Sequence, residues 1–501
     1  MELTIDRDGR EPVYRQISRQ IRELVASGAL PPGFRLPPER RLAEALGVNR
    51  STVLRAYDEL KGDGLVDAHV GRGTTVLPPR RPAAPAPQEV PPLPWRQLFR
   101  QVGPEALDPL VRDLLSQAER RDGISLAVGL PATELLPADE LRAALHALFE
   151  KVGPRLLQHA PTEGHMPLRE TIATLVATRG VLCSPAEVLV LSGSQQGLDL
   201  AARVFVDPGD VVVVEEPSFF GGLQAFRAAG ARLVGVPVDE EGMRTDLLEW
   251  VLGRHRPKLI YTLPTFQNPS GAVLSLERRH RLLDLAARFG VPVLEDDPYS
   301  DLRYSGDPLP PLKALDTHGC VMYLSTFSKV LSPGLRLGFL IAPRPAHRQL
   351  VLAKQAVDLH ASTPGQWLVD RFLREGRYQA HLGRVRRAYA ARLLAMDQAL
   401  RACAPAGMSW QQPDGGFYVW CRLPAEVDPR LLAERAAAAG VGYLPGRPCF
   451  ASPPPEEYVR LNFSHSEPDL IREGVRRLCR ALGEATQARD AAAAAETRPL
   501  V

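Results

Sequence analysis

Apolar positions in the first 77 residues recur at a helical spacing in three short segments. The pattern predicts helices over 13–25, over 39–46 and from Ser51 onward, with a Gly47-Val48 turn between the second and the third. The following run LVDAHVGRGTTV alternates apolar and polar residues around a Gly-Arg-Gly turn, which predicts two paired strands. We therefore expect residues 1–77 to form a small domain of three helices and a strand ribbon.

Composition marks the boundaries of this domain and of the chain's last segment. Residues 78–94, PPRRPAAPAPQEVPPLP, contain eight prolines in seventeen positions, which is typical of an extended, semi-rigid linker. Residues 484–501 are rich in alanine and poor in large apolar side chains, so we expect a frayed helix or a disordered tail there. The intervening residues 95–483 form the second predicted domain.

Short apolar runs alternate with helical segments along this second domain. This rhythm predicts an α/β domain with a largely parallel sheet that helices cover on both faces. Ligands of such sheets bind at the carboxyl ends of the strands. The predicted strands are 188–191, 211–215, 233–238, 259–263, 291–296, 321–326 and 338–342.

Overall composition excludes several classes of protein. A chain of 501 residues with 45% hydrophobic and 24% charged residues is typical of a globular protein with more than one domain. No apolar run is long enough to cross a bilayer, and the first residues, MELTIDRDGREP, lack a secretory signal, so we expect a cytoplasmic protein without membrane contact. Six widely spaced cysteines without a CxxC pair indicate neither a metal site nor a disulfide framework.

The net charge of +3 does not by itself indicate a nucleic-acid partner, but arginines cluster locally. Five lie between residues 34 and 55, against two glutamates, and the predicted third helix begins with polar residues. Helices in this order followed by a ribbon are typical of a winged helix-turn-helix, whose third helix enters the major groove of DNA by its N-terminal residues. A small helical adaptor with a solvated polar face is the alternative. The candidate contacts are Arg40, Arg50, Ser51, Thr52 and the ribbon-tip residues Gly71 and Arg72.

Lys329 is the strongest chemical candidate in the second domain. It is one of only six lysines, and it follows a predicted strand in the segment STFSKVLSPGLRLG. A lysine with a lowered pKa forms a Schiff base with an aldehyde. The neighbouring hydroxyls of Thr326 and Ser328, together with Arg336, suit a phosphate dianion.

Other predicted strand ends carry polar or aromatic residues, each of which has both a ligand-binding and a purely structural interpretation. Ser194 and Gln195 begin a helix, where free N–H groups suit a phosphate, although an ordinary helix cap has the same appearance. Phe219 could stack on a planar ring or belong to the core, and Asn268 could bind a phenolate oxygen or only form a turn. Asp296 ends an apolar strand and needs a cationic partner there, such as a protonated pyridine nitrogen.

Two resemblances bring these motifs together. LPPERRLAEALGVNRSTVLRAYDELKGDGLV resembles the GntR-type winged helix nearly position by position, which implies DNA contacts by the six candidates above. Residues from about 95 to 483 resemble fold-type I pyridoxal-phosphate aminotransferases of the kynurenine/aminoadipate-like group. That resemblance implies an α/β fold with a smaller α+β C-terminal subdomain and pyridoxal 5′-phosphate as cofactor.

The second resemblance also assigns roles to residues. Lys329 would hold the cofactor as a Schiff base, Asp296 would pair with the ring nitrogen, and Tyr299 would bind the 3′-oxygen together with Asn268. Arg460 would bind a substrate or effector carboxylate in a pocket lined by Gly129. Where the family has a tyrosine that reaches the partner subunit's phosphate, this chain has His159. The remaining cofactor residues would be Phe219 on the ring and Ser194, Gln195, Thr326, Ser328 and Arg336 at the phosphate.

A GntR-like reader, a proline-rich linker and an aminotransferase-like body in one chain resemble the MocR group of bacterial regulators. This implies a homodimeric transcription factor that binds operator DNA and pyridoxal phosphate and senses the cofactor or an amino-acid or amine effector. The alternative is a working aminotransferase with an attached DNA-binding module, because no catalytic group is missing from the sequence.

Overall fold

The computed structural model describes residues 1, 3–7, 11–69, 73–78, 93, 123–454 and 456–496, with side chains up to residue 486. Gly71 and Arg72, nearly all of the proline-rich linker and the predicted start of the body at 95–122 lie outside the described residues. The chain divides into two compact units, Met1–Phe99 and Arg100–Val501, and each is described by itself.

The first unit contains the three predicted helices and the ribbon. Gly47 follows helix α2 (Glu39–Leu46) and adopts a left-handed conformation at φ 63°, which permits the tight turn into α3 (Arg50–Gly62). Apolar side chains from all three helices and from the ribbon, among them Ile17, Leu42, Val53 and Val66, form one small core. The expected winged helix-turn-helix is confirmed. Its elements are α1 (Val13–Ala26), α2 (Glu39–Leu46), α3 (Arg50–Gly62), β1 (Val66–His69) and β2 (Gly73–Val76).

An eight-stranded mixed sheet forms the centre of the second unit, and each of the seven predicted runs lies in it. The sequence pattern did not predict a two-residue strand at the edge of this sheet. It also did not predict that one of the seven strands runs antiparallel to both of its neighbours. In spatial order the strands are β4 (Val188–Leu191), β11 (Gly338–Ile341), β10 (Val321–Thr326), β9 (Val293–Asp296), β8 (Leu259–Thr262), β5 (Val211–Glu216), β6 (Arg232–Asp239) and β7 (Gly242–Met243).

Helices cover both faces of this sheet, as the continuous apolar runs of the central strands predict. Alternate residues of β5 point to opposite faces: Val212 and Val214 belong to one apolar core, and Val213 belongs to another. Nine α-helices of the described second unit lie before Arg377. They are α4 (Ala138–Val152), α5 (Met166–Ala177), α6 (Ser194–Phe205), α7 (Phe220–Ala228), α8 (Thr245–His255), α9 (Leu276–Phe289), α10 (Leu312–Leu315), α11 (Arg344–Asp358) and α12 (Thr363–Arg374).

A smaller α+β subdomain follows, as expected from the resemblance. The long helix α13 (Arg377–Cys403) leads into an antiparallel sheet, and a two-residue strand at the start of the described body pairs with the subdomain. The other elements are β3 (Ile124–Ser125), β12 (Ser409–Trp410), β13 (Tyr418–Arg422), α14 (Pro429–Ala438), β14 (Val441–Gly442), β15 (Leu444–Pro445), β16 (Tyr458–Asn462) and α15 (Pro468–Glu496).

The segment from residue 484, for which we expected a frayed helix or a disordered tail, begins inside helix α15 (Pro468–Glu496). Helix α15 continues from Pro468 to Glu496, and Ala485 is fully buried. The alanine-rich composition that suggested a tail also has the highest intrinsic helix propensity, and it extends a helix that is already anchored by packing. Residues 497–501 lie outside the described residues. In the described part of the chain, no helix is long and apolar enough to span a membrane.

Candidate functional site

The N-terminus of α3 presents the polar side chains that the sequence singled out. Arg50, Ser51 and Thr52 occupy the first turn of the helix, and the first two are exposed. The first turn carries no acidic residue, so the positive end of the helix dipole is not neutralised there. This end of α3 therefore suits a phosphate backbone or the electron-rich edges of bases.

Arg50 is not free in this structure. Its guanidinium donates a hydrogen bond of 3.1 Å to the carboxylate of Glu39, at the start of α2. Arg40, the residue after Glu39, is exposed on the same helix. A DNA phosphate would have to compete with Glu39 for Arg50, and an exposed ion pair of this kind contributes only about 0–1 kcal/mol.

All ten cofactor residues predicted from the sequence line one cavity of about 170 Å³ in the second unit. They converge because β4, β5, β8, β9 and β10 end at the same edge of the sheet, and because the antiparallel β11 begins there. Three further residues, which the sequence did not single out, complete the wall. The lining residues are Ser194, Gln195, Phe219, Leu263, Asn268, Asp296, Pro298, Tyr299, Thr326, Ser328, Lys329, Arg336 and Tyr418.

Lys329 follows β10, and its Nζ donates a hydrogen bond of 2.9 Å to the carbonyl oxygen of Gly129. Burial lowers the pKa of this amine, and the positive charges of Arg460 and Arg336 lower it further, whereas Tyr418 and Asp296 act in the opposite direction. A lowered pKa increases the fraction of neutral amine, which is the form that attacks an aldehyde. Burial therefore favours the neutral form of Lys329 more than it would be favoured in an exposed lysine.

Asp296 ends β9 and is buried, with 2% of its surface exposed. The Tyr261 hydroxyl donates a hydrogen bond of 2.9 Å to its Oδ2, whereas Oδ1 is buried without a protein partner. Burial raises the pKa of Asp296 to about 7 despite the bond from Tyr261. An unpartnered carboxylate oxygen at a cavity wall is suited to a protonated ring nitrogen, which would satisfy the oxygen and stabilise its charge.

The cavity wall also carries donors for an anion. Helix α6 begins at Ser194 without a side-chain cap, and the Thr326 and Ser328 hydroxyl oxygens lie 2.9 Å apart. Gly193 has φ 92°, and a Cβ there would lie 2.5 Å from Nη2 of Arg336, so glycine allows the guanidinium to reach this loop. Uncapped N–H groups, two hydroxyls and an arginine form a donor set that fits a phosphate.

Tyr418, on β13, is the main functional candidate that sequence reasoning missed. Its hydroxyl lies 3.3 Å from that of Tyr299, and the Arg460 guanidinium carbon lies 4.0 Å from its ring centre. Burial raises the pKa of this phenol, but the charges of Arg460 and Lys329 outweigh it, and the pKa lies below its ordinary value. The run GGFYVW marks a glycine turn before a strand, but nothing in it indicates that the strand points into the cavity.

Arg460 and Gly129 lie beside the cavity and are not part of its described wall. Arg460 is 3% exposed and donates hydrogen bonds to Oδ1 of Asn268 at 2.9 Å and to the carbonyl of Ala127 at 3.0 Å, while its Nε has no partner. The predicted carboxylate contact would therefore have to use Nε or replace one of these bonds. His159 is exposed, and its Nδ1 lies 2.8 Å from Nε2 of His360.

Comparisons with known protein families identify both units. The aminotransferase class I and II family matches residues 121–478, and the bacterial regulatory proteins of the gntR family match residues 13–76. The chain belongs to the aminotransferase class I and II family, and its N-terminal unit is a GntR-type DNA-binding domain. The groups that line the cavity fit pyridoxal 5′-phosphate, the cofactor of this family.

Individual relatives fall into two groups. The chain is 32% identical over 485 residues to the probable rhizopine catabolism regulatory protein MocR of Rhizobium meliloti, covering 95% of each chain. It is 40% identical over 404 residues to aromatic-amino-acid aminotransferase 1 of Thermococcus litoralis, covering 79% of this chain and 96% of that one. The solved structure of the α-aminoadipate aminotransferase LysN of Thermus thermophilus is similar at a TM-score of 0.74 and 40% identity, over 79% of this chain and all of that one.

The regulators match both units, whereas the enzymes match only the second. The chain is therefore a GntR-type transcriptional regulator in which a DNA-binding domain is fused to an aminotransferase-like, pyridoxal-phosphate-binding domain.

Proposed function

We propose that this regulator responds to an amino compound that enters the cavity of the second unit beside its cofactor. The observation that carries the proposal is the convergence of Lys329 and nine other predicted cofactor residues on one cavity, in a chain that also has a GntR-type reader. The amino compound would be an amino acid or an amine, and the cofactor's own arrival is a second possible signal.

The proposed roles follow from the contacts of each side chain. The cofactor supplies an aldehyde that combines with amines and a ring that withdraws electrons. Lys329 would present its amine, whose pKa burial lowers, at the cavity wall, and Asp296 would pair with the ring nitrogen through Oδ1. Asn268 and Tyr299 would bind the ring oxygen, and Phe219 would pack on the ring face. The proposed phosphate donors are Ser194, Gln195, Thr326, Ser328 and Arg336.

Regulation requires that the amino compound prefer one conformation of the second unit, since a ligand without such a preference shifts no equilibrium. A coupling of about 1–3 kcal/mol between the cavity and the reader would be of ordinary size. We propose that the chain acts as a homodimer, because paired readers bind two half-sites and respond to a change in their separation. The family resemblance supports this assembly.

A working aminotransferase with a DNA-binding module is the alternative, and it is not favoured. The relative that matches both units over 95% of its length is named as a regulator, whereas the enzymes lack a counterpart of the first unit. The intact cavity nevertheless makes turnover a necessary measurement. We expect the cofactor spectrum to change when the correct amino compound is added, without steady release of a keto acid.

The test uses the full chain with a duplex that the wild-type protein selects from a random pool. Arg50→Ala should reduce duplex binding at least tenfold and leave the visible absorbance of the bound cofactor unchanged. Lys329→Ala should abolish that absorbance and the response to amino compounds, but leave the protein able to bind the duplex. Arg22→Ala is the matched control, because Arg22 pairs with Asp63 at the far end of α3.

Three results would overturn the proposal. If no amino compound alters duplex binding while several alter the cofactor spectrum, the cavity is not a sensor. If a keto-acid acceptor sustains many turnovers at a rate typical of enzymes, about 1 per second or faster, the alternative function is correct. Loss of both duplex binding and absorbance in Arg50→Ala would show that the two units are not assigned correctly.

A further inference from the structure

Two cysteines far apart in sequence lie next to each other in the C-terminal subdomain. Cys403 is the last residue of α13, and Cys479 lies on α15. Their sulfur atoms are 2.8 Å apart, although 76 positions separate the residues along the chain. A covalent disulfide needs about 2.0 Å between sulfurs, so the two sulfur atoms already lie close to bonding distance. Both residues are free thiols in this structure.

The surroundings of the pair distinguish the two thiols. Cys403 is partly exposed, whereas 6% of Cys479 is exposed. Contact with Cys479 and the nearby charge of Arg476 lower the pKa of Cys403, although burial opposes them. The same contact and burial raise the pKa of Cys479. Cys403 is therefore the thiol that ionises first, and it is also the one that a small oxidant in solvent can reach.

The other four cysteines, all in the described part of the chain, lack these properties. Burial raises the pKa of Cys183 and of Cys320 to about 11 each, and it raises the pKa of Cys449 to about 12. Cys421 is fully buried, and its pKa is raised for the same reason. Their thiolate fractions at neutral pH are low, and low thiolate character protects a cysteine from oxidation.

We propose that Cys403 and Cys479 are a reversible dithiol–disulfide site that hydroperoxides oxidise. The Cys403 thiolate attacks one peroxide oxygen, so an S–O bond forms, the O–O bond breaks and water leaves after protonation. The Cys479 sulfur then attacks the Cys403 sulfur, so the S–S bond forms and the S–O bond breaks, and the departing hydroxide takes the Cys479 proton. Two thiols lose two electrons, and hydrogen peroxide is reduced to two molecules of water. A dithiol reductant reverses the reaction by exchange.

The position of the pair gives the site a structural consequence. Helix α13 precedes β13, and α15 follows β16, while β13 and β16 pair with each other and carry Tyr418 and Arg460. A bond between the helices would close a covalent loop around both strands. Because such a loop restricts the unfolded chain, we expect the oxidised protein to unfold at a higher temperature than the reduced protein.

The experiment treats the reduced, purified full chain with a small excess of hydrogen peroxide. Titratable thiols should fall from six to four per chain, and a non-reduced digest should contain a peptide that joins Cys403 to Cys479. Dithiothreitol should restore all six thiols. The melting temperature should rise on oxidation and return on reduction.

Three variants make the result specific. Cys403→Ser should keep five titratable thiols after the same treatment, and Cys479→Ala should form no disulfide-linked peptide. Neither variant should show a rise in melting temperature. Cys183→Ser is the matched control, because it removes another partly exposed thiol but leaves the pair intact, and it should fall from five to three. Circular dichroism of the reduced variants checks that each has folded.

Each contrary outcome overturns the proposal. Retention of all six thiols, a disulfide between other cysteines, or conversion of Cys403 to a sulfinic acid would show that the pair does not act as a dithiol. A linked peptide that forms while the melting temperature falls would show that the bond does not fit the native subdomain.

Discussion

The guanidinium of Arg460 lies over the ring of Tyr418, with 4.0 Å between the guanidinium carbon and the ring centre. Neither residue is near the other in sequence, but their strands pair in the C-terminal subdomain. Because Tyr418 lines the cavity and Arg460 bonds to Asn268, which also lines it, this contact joins the subdomain to the proposed cofactor site.

Replacing Tyr418 by phenylalanine should lower the pKa of Lys329 further. The phenol is the strongest of the groups that oppose this lowering, and phenylalanine keeps the ring under Arg460 while it removes the ionisable oxygen. In the protein freed of cofactor, the pH profile of cofactor uptake should therefore shift to lower pH. Stability should fall by only about 1 kcal/mol, because one hydrogen bond is lost.

Tyr443→Phe is the control for this experiment, because Tyr443 is another buried tyrosine of the same subdomain and does not line the cavity. It should leave the uptake profile unchanged. An unchanged profile in Tyr418→Phe as well would show that the phenol does not interact electrostatically with Lys329.

A methyl group at Gly129 should impair the cavity. A Cβ there would overlap the Tyr418 hydroxyl and would lie 2.7 Å from its Cζ. The Gly129 carbonyl oxygen also accepts the hydrogen bond from Lys329. Gly129→Ala should therefore weaken cofactor binding about tenfold or more, and a tenfold loss corresponds to about 1.4 kcal/mol. Titration of the visible absorbance measures the affinity.

The double variant Gly129→Ala/Tyr418→Phe should recover part of the lost affinity, because phenylalanine removes the overlapping oxygen. Gly253→Ala is the control, since a Cβ at that position has no neighbour closer than 3.9 Å. If the double variant binds no better than Gly129→Ala, the overlap with Tyr418 is not the cause of the loss.

The ten cavity residues could be predicted from the family resemblance together with their positions at or near strand ends, which the sheet brings to one edge. Asp296 and Lys329 illustrate this, since each lies at the end of an apolar run whose boundary is visible in the sequence. The sequence could not indicate the bond from Tyr261 to Asp296, because Tyr261 lies within an apolar run and its orientation depends on which strand is adjacent.

Tyr418 and the cysteine pair were missed for a related reason. Their significance depends on how the C-terminal subdomain packs, and no local pattern encodes which helices or strands become neighbours. The spacing of the six cysteines indicated no disulfide framework, but spacing carries no information about the contact between Cys403 and Cys479. Likewise, the ion pair between Glu39 and Arg50 depends on the angle between two helices.

Glu39→Gln should strengthen DNA binding. The ion pair holds Arg50 away from a phosphate, and glutamine keeps the shape of the side chain without its charge. An exposed pair contributes at most about 1 kcal/mol, so the affinity for the selected duplex should rise by up to about fivefold in fluorescence anisotropy.

Glu44→Gln separates this effect from general electrostatics, because it removes the same charge from the same helix. The gain from Glu39→Gln should exceed the gain from Glu44→Gln, and Arg50→Ala should abolish the difference. A loss of affinity in Glu39→Gln would instead mean that Glu39 orients Arg50 for DNA.

Asp296→Asn should change how the stability of the cofactor-free protein depends on pH. In the folded protein the pKa of Asp296 is raised to about 7 by burial, whereas in the unfolded chain it has its ordinary value near 4. Between these values the folded state binds more protons, so the stability that this group contributes falls as pH rises through the window. The variant lacks the titrating group, and its stability relative to the wild type should rise by about 2 kcal/mol between pH 5 and pH 8 in urea unfolding.

Asp246→Asn is the matched control: the pKa of this exposed aspartate is lowered by Arg244, so its removal should produce no such rise. If wild type and Asp296→Asn lose stability in parallel over this range, Asp296 is not the buried acid that the structure indicates. With pyridoxal phosphate added, the wild type should instead gain stability relative to Asp296→Asn. A protonated ring nitrogen stabilises the carboxylate of the wild type, whereas it has no charged partner in the variant.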